Sequence, residues 1–381
     1  MKLSHIKYLI LFVALGALLN CRHPYEPSVI KDNVKYLVVN GYINSGPNEV
    51  TKVILSRTQN LSDSGVSSPE SGALVMIESS AGDSYILNQQ DDSVYLSNPL
   101  NLNPSLNYRL HIKTNNGKSY TSDYVPVKQT PPVDSVTWEQ DNDVHIFVNT
   151  HDPQNNTWYY HWDFVETWEY KSTLSGAYGL DSANPNRITV KDASTQTDSC
   201  WQTSSSNTIN VGSSIALHSD VISHQPVTTV EQNSVKISVR YCILVQQYAL
   251  TQEAYQYRLN MQNNTQSMGT IFDPQPSQLF SNIHCDTDPN EPVIGYVSAS
   301  TVATKRMFID HSQLANWNYP GIPLECKVIA ANQNPGSYLF FNFNDTTYYP
   351  YYFSSNTLMV AKKFCLDCRW YGGTSHRPSF W

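Results

Sequence analysis

The sequence predicts a mainly β protein: an N-terminal immunoglobulin-like β-sandwich followed by a larger β-rich domain with at least one α-helix. Three observations carry this. Charged residues make up only 15% of the chain, against about 25% in an average soluble domain. Tyr (25) and Trp (8) are plentiful, and with Ser, Thr and Asn they suit strands and turns better than helices. Apolar residues also alternate with polar ones in short runs punctuated by turn signals, the pattern of half-buried strands.

The first 20 residues read as a secretion signal. Lys2 and Lys7 form a basic start, Tyr8 to Leu19 is uncharged and apolar, and the first cysteine of the chain, Cys21, follows at once. A span would need ~20 apolar helical residues, so the segment is too short to cross and reads as a cleaved leader. The position of Cys21 points to a bacterial lipoprotein signal, with Cys21 carrying the lipid, although Leu18, Leu19 and Asn20 depart from the usual small residue before the cysteine. More than one acyl chain on that residue would anchor stably. Residues 21–34 form the lipidated cysteine and a tether, held extended by Pro24 and Pro27.

Residues 35–128 carry the expected sandwich. Leu37, Val39, Gly41 and Ile43 alternate with Val38, Asn40 and Tyr42. Further strands are expected around Val53 and Leu55, Leu74 to Ile77, Tyr85 to Leu87, and Leu110 to Ile112. Asn115-Asn116-Gly117-Lys118 is a hairpin signal, because Asn-Gly accepts the positive φ that tight turns require. Tyr120 and Tyr124 continue on the returning strand. The joint falls at Thr130-Pro131-Pro132, where consecutive prolines interrupt any ladder and stiffen the link.

Residues 129–381 form the larger domain. Strands are expected at Val144 to Val148 and Trp158 to Tyr170, then a long polar stretch from Lys171 to Asn233 that reads as an insertion or large loops. Val235 to Val245 alternates cleanly and predicts a strand along its whole length. Thr251 can cap a helix over 252–264 whose apolar face is Ala254, Tyr255, Leu259 and Met261, ended by Gly269 and Asp273-Pro274. Val293 to Val297, Arg306 to Ile309 and Ser337 to Phe343 read as further strands.

With Cys21 set aside for lipid, six cysteines remain: Cys200, Cys242, Cys285, Cys326, Cys365 and Cys368. An even set in an exported chain predicts disulfides, with 15 connectivities open. Cys365-x-x-Cys368 could instead be a redox dithiol or half a zinc site, but the first wants a βαβ setting and the second more ligands than His376. Asp286-x-Asp288-x-Asn290 resembles the start of a calcium loop, yet Glu291 stands where that loop needs Gly and Val297 where it needs Glu. No metal or cofactor is therefore expected. The net charge of −8 argues against nucleic acid, which calls for a basic patch.

Trp158, Tyr160, Trp162, Phe164, Trp168 and Tyr170 share one strand face at period two, with Glu166 among them. Core packing is the favoured reading, with Trp168 and Glu166 retained as candidate ligand contacts. Tyr348, Tyr349, Tyr351 and Tyr352, broken by Pro350, are candidates for a partner or ligand surface. There is no His-Glu-x-x-His, no Gly-x-Ser-x-Gly and no phosphate-binding glycine loop, so no catalytic residue is named.

Several segments together resemble one family: Pro24-Tyr25-Glu26-Pro27, Tyr36 to Ile43, Leu55-Ser56-Arg57-Thr58, Thr130-Pro131-Pro132, Thr270 to Ser277, Glu291 to Tyr296, Cys365 to Arg369, and the tail from Gly372 to Trp381. The set is similar to domain of unknown function 4249, exported lipoproteins of Bacteroidota-type bacteria. That resemblance implies an outer-membrane location, on a face left open, and TonB-dependent receptors as neighbours. The expected function is a non-catalytic accessory that binds a ligand or assembles with such a receptor. An envelope enzyme, thiol-based or hydrolytic, and a purely structural surface protein are the alternatives.

Overall fold

The computed structural model describes residues 35–59, 68–180, 188–192, 196–266, 279–319, 321, 326–331 and 347–381. The leader, Cys21, the tether, the residues expected to end the helix and the strand expected at Ser337 to Phe343 lie outside them. The fold is mainly β, as the composition predicts, and none of the described helices is long and apolar enough to cross a membrane.

In the first unit the expected strands form at Leu37–Gly41, Lys52–Arg57, Leu74–Ser79, Ser84–Asp91, Asn107–Lys113 and Ser119–Ser122, and Val94–Ser97 adds one that the sequence did not indicate. Alternation sends Leu37, Val39, Val53, Leu55, Val75 and Ile77 into one core, each buried. The Asn-Gly hairpin closes as expected: Gly117 has φ +84°, and the Thr114 N–H donates to the Lys118 carbonyl at 2.9 Å. Pairing gives one continuous 13-stranded sheet among the described residues. Ile43–Asn44 stands at one end of its strand path, while Leu37–Gly41, its neighbour in sequence, is one strand from the other end. The sheet therefore curls around its own core, rather than forming the two separately paired sheets of the expected immunoglobulin-like sandwich.

This unit does not end near residue 128. Three segments of the later chain return to it. Ile283–Cys285 pairs with Ser119–Ser122, Ile294–Gly295 runs parallel to Leu37–Gly41, and Ala299–Ser300 runs parallel to Val125–Lys128 and Ile43–Asn44. Ile283, Cys285, Val293, Val297 and Ala299 complete the first core. The boundary expected at 128/129 marks only the first passage of the chain between units.

The second unit packs two sheets face to face. One has three strands, Val133–Gln140, Val144–His151 and Val221–Val230; the other orders Ser199–Ser205, Tyr159–Lys171, Arg240–Ala249 and Val302–Asp310, with Asn210–Ser213 also on Tyr159–Lys171. The shared core takes Val144, Ile146 and Val148 from one sheet and Tyr160, Trp162, Phe164, Trp168, Tyr241, Ile243 and Val245 from the other. Burying each such side chain is worth about 1.5–3 kcal/mol. The buried Trp162 Nε1–H donates to Gln247 Oε1 at 2.8 Å, and Gln247 Nε2 donates to the Pro131 carbonyl and Thr150 Oγ1 at 2.9 Å each, so these two side chains are paired.

Two expectations need correction here. The polar stretch from Lys171 to Asn233 is not all loop, because edge strands with one solvated face require few apolar residues. Val235–Ile237 is a short 3-10 turn, in which the Ser234 hydroxyl accepts from the Lys236 N–H, and the strand starts at Arg240. The helix spans Gln252–Gln266 with the Thr251 hydroxyl accepting from the Ala254 N–H at 3.2 Å, the cap that the sequence indicated.

The C-terminal region adds a small sheet of Ile329–Ala330, Thr357–Lys362 and Tyr348–Ser354. Disulfides Cys200–Cys368 and Cys326–Cys365 tie it down. Cys242 and Cys285 are buried free thiols, contrary to the expectation of three bridges. They cannot meet: Cys242 lies on a strand of the second unit under Arg306, and Cys285 lies in the first core.

Candidate functional site

Where the two units meet, a cleft of about 520 Å³ opens. Its walls are the strand residues Val38 to Tyr42 and the returning Ile294 to Tyr296 on one side, and His161, Asp163 and the 205–209 connection on the other. The helix contributes Tyr257, Arg258 and Met261, positions that share one helical face.

Strand alternation delivers the polar wall. Along Tyr159–Lys171 the core takes Tyr160, Trp162 and Phe164, so His161 and Asp163 project from the opposite face. His161 is buried and its Nδ1–H donates to the Asn210 carbonyl at 2.9 Å. Its Nε2 faces two groups, Asp163 Oδ1 at 3.1 Å and Arg258 Nη1 at 3.4 Å. Burial and then the Arg258 charge push the His161 pKa down, outweighing Asp163. Burial also lowers the Arg258 pKa. Asp163 would be raised by burial, but His161 and Arg258 hold it below the usual carboxylate range.

Tyr257 is 6% exposed. The Gly295 N–H approaches its oxygen, leaving the hydroxyl proton with no acceptor. Its ring packs on Tyr296 with centroids 5.3 Å apart. Tyr42 meets Tyr248 edge to face at 4.7 Å, and burial pushes the Tyr42 hydroxyl up to about 12. The cleft thus combines a guanidinium, a carboxylate and a free phenol proton with the rings of Tyr42 and Tyr296, a set suited to holding a polar ligand in a defined orientation.

The residues favoured from sequence lie elsewhere. Trp168 and Glu166 are buried in the second core. Glu166 accepts from Tyr241 Oη at 2.6 Å and Lys236 Nζ at 2.5 Å, and Lys236 lies 5.4 Å from the Trp168 ring centroid. This carboxylate is satisfied internally, and both residues lie away from the cleft. The tyrosine cluster divides. Tyr348 packs on a small core, Tyr349 lines a second cavity of about 410 Å³, Tyr351 and Tyr352 meet edge to face, and Tyr352 is exposed. Asp286 accepts from the Ser119 and Thr121 hydroxyls at 2.9 and 2.7 Å, and no cluster of metal-ligating side chains is found among the described residues. Cys365 and Cys368 each bond to a different distant cysteine.

Sequence reasoning missed His161, Asp163, Tyr257 and Arg258. A signal for the first two existed: they are the polar pair on the other face of the aromatic strand. Arg258 gave none, because a cation on a polar helix reads as solvated.

No curated protein matches the chain. The family described as Domain of unknown function (DUF4249) matches residues 22–306, and the chain belongs to that family.

Proposed function

We propose that this protein is a non-catalytic lipoprotein of the outer membrane, anchored through Cys21, which binds a ligand in the cleft between its units as the accessory of a TonB-dependent receptor. The observation that supports binding is the cleft itself, a cavity of about 520 Å³ into which both units and the helix project side chains. Its volume falls within the ~300–1,000 Å³ common for small-molecule sites. The leader and the family resemblance support the anchor and the receptor. A thiol enzyme has less support, since Cys365 and Cys368 are in disulfides and Cys242 and Cys285 are buried.

The test is purification from native membranes in mild detergent with the anchor intact. A β-barrel receptor should accompany the protein. Recovery of Cys21-lipidated protein alone would count against the accessory role. Cys21→Ser should release the folded protein or leave an unprocessed precursor; membrane-bound, correctly cut Cys21→Ser protein would overturn the lipoprotein reading.

A further inference from the structure

Arg258 is half-buried on the cleft-facing side of the helix. A guanidinium has five N–H donors and normally meets a carboxylate or several carbonyls when it leaves bulk water. Here, among the described residues, its one hydrogen-bond partner is the Nε2 of His161 at 3.4 Å, a nitrogen that offers at most a single lone pair. Asp163 is directed at that same nitrogen, at 3.1 Å, and forms no ion pair with Arg258. Beside it Tyr257, nine-tenths buried, lines the same cleft with a hydroxyl proton that has no acceptor. An unspent donor buried as deeply as the Tyr257 hydroxyl is costly unless something accepts from it. Tyr42 and Tyr296 add aromatic surface to the wall, beside the aliphatic Val38, Val39 and Ile294 and the polar 205–208 connection.

From this geometry we infer that the cleft takes a small organic acid, its carboxylate held by the Arg258 guanidinium with the Tyr257 hydroxyl as a further donor, and its apolar body against the aromatic wall. This deepens the binding role proposed above and rests on it. A planar carboxylate matches the fork of two parallel guanidinium N–H groups. His161 is the positioning residue: its Nδ1–H bond to the Asn210 carbonyl fixes the ring, and its Nε2 stands 3.4 Å from Arg258 Nη1 at the cleft wall.

The probe pair is 4-phenylbutyrate and its neutral amide, 4-phenylbutyramide, titrated calorimetrically into the full mature chain in detergent, with inorganic phosphate as competitor. The acid should bind about tenfold or more tightly than the amide, and phosphate should not displace it. Arg258→Gln should erase that preference. Because this substitution touches a packed helix, Tyr257→Phe is the second variant: it keeps the ring, should preserve the circular dichroism spectrum, and should weaken acid binding several-fold. Equal binding of acid and amide, an unchanged preference in Arg258→Gln, or displacement by phosphate each overturns the carboxylate assignment. Receptor co-purification is scored in parallel on wild type. Failure of the acid to bind with co-purification intact sinks this inference alone, and lost co-purification with acid binding intact sinks only the receptor partnership.

Discussion

Tyr120 and Glu291 are 171 residues apart in sequence, yet the Tyr120 hydroxyl donates to Glu291 Oε1 at 2.8 Å inside the first unit. Lys118 bonds the other carboxylate oxygen, and Arg57 Nη1 lies 3.6 Å from Oε1. Burial alone would raise the Glu291 pKa, but Lys118, Tyr120 and Arg57 more than offset it and hold the carboxyl below its usual range. Glu291 thus fastens the returning segment to the sheet. Glu291→Gln should destabilise the protein by about 3 kcal/mol, since it leaves buried cationic donors without their charge. A group with a depressed folded pKa contributes fully above its unfolded value, near ~4.3, and loses that contribution as pH falls through the folded value. Urea midpoints from pH 7 to 3 should show the wild-type advantage shrinking towards acid, and a pH-independent difference would refute the assignment.

The return of 283–300 also forecasts how fragments behave. Residues 22–130 expressed alone lack Ile283, Cys285, Val293, Val297 and Ala299 from their core. That fragment should give an uncooperative thermal transition, whereas a chain continued through residue 310 should melt cooperatively. A stable, cooperative 22–130 fragment would show that the returning strands merely decorate a finished unit.

The cysteines make a chemical prediction. Cys200–Cys368 joins residues 168 positions apart and encloses Cys326–Cys365, at a separation of 39. Chain-entropy reasoning gives about 4 kcal/mol for a loop of the smaller size, so the paired substitution Cys326→Ser/Cys365→Ser should lower stability by up to that amount. Peptide mapping without reductant should find those two bridges, while Cys242 and Cys285 should alkylate only after denaturation. A recovered Cys242–Cys285 peptide would contradict the separation of the two units.

Alternation and turn chemistry made much of the fold legible. Leu37, Val39, Val53 and Leu55 face inward as their period requires, Gly117 takes the positive φ of its hairpin, and Thr251 caps the helix where its hydroxyl allows. What stayed hidden was long-range. No local pattern says that Ile294–Gly295 will pair in parallel with a strand some 250 residues earlier, because parallel pairing leaves no turn in the sequence. The same limit hid the site. Aromatic density drew attention to Trp168 and Glu166, whereas the cleft depends on which helix face reaches which strand, a product of packing that neither segment encodes alone.

His161 predicts a pH dependence of the second unit. Its folded pKa lies below the unfolded value, chiefly through burial and then Arg258, so the unfolded chain binds its proton first as pH falls. Stability from this group is full above about pH 6.5 and falls by up to ~1.4 kcal/mol per pH unit down to the folded value. His161→Gln, whose side-chain amide can still donate to the Asn210 carbonyl, should flatten that segment of a melting-temperature profile measured between pH 7.5 and 5. Parallel profiles for the two proteins would show that His161 does not titrate in this window.

Gly295 links fold to cleft most directly. It adopts φ +145°, and a Cβ there would collide with the Val39 carbonyl oxygen across the parallel ladder, where Val39 pairs with Gly295. An L side chain adds backbone strain of about 1–3 kcal/mol to that collision. The strand Ile294–Gly295 should move away from Leu37–Gly41 and carry with it Tyr296, which packs on Tyr257. Gly295→Ala should therefore lower the urea midpoint and weaken 4-phenylbutyrate binding together, although residue 295 contributes no polar side chain to the cleft. Gly82→Ala is the control. Its φ of +96° carries similar strain, but nothing stands within 4 Å of a Cβ there, so stability should fall while binding to the folded protein is unchanged. Equal effects of the two substitutions on binding would mean that the wall formed by 294–296 does not shape the site.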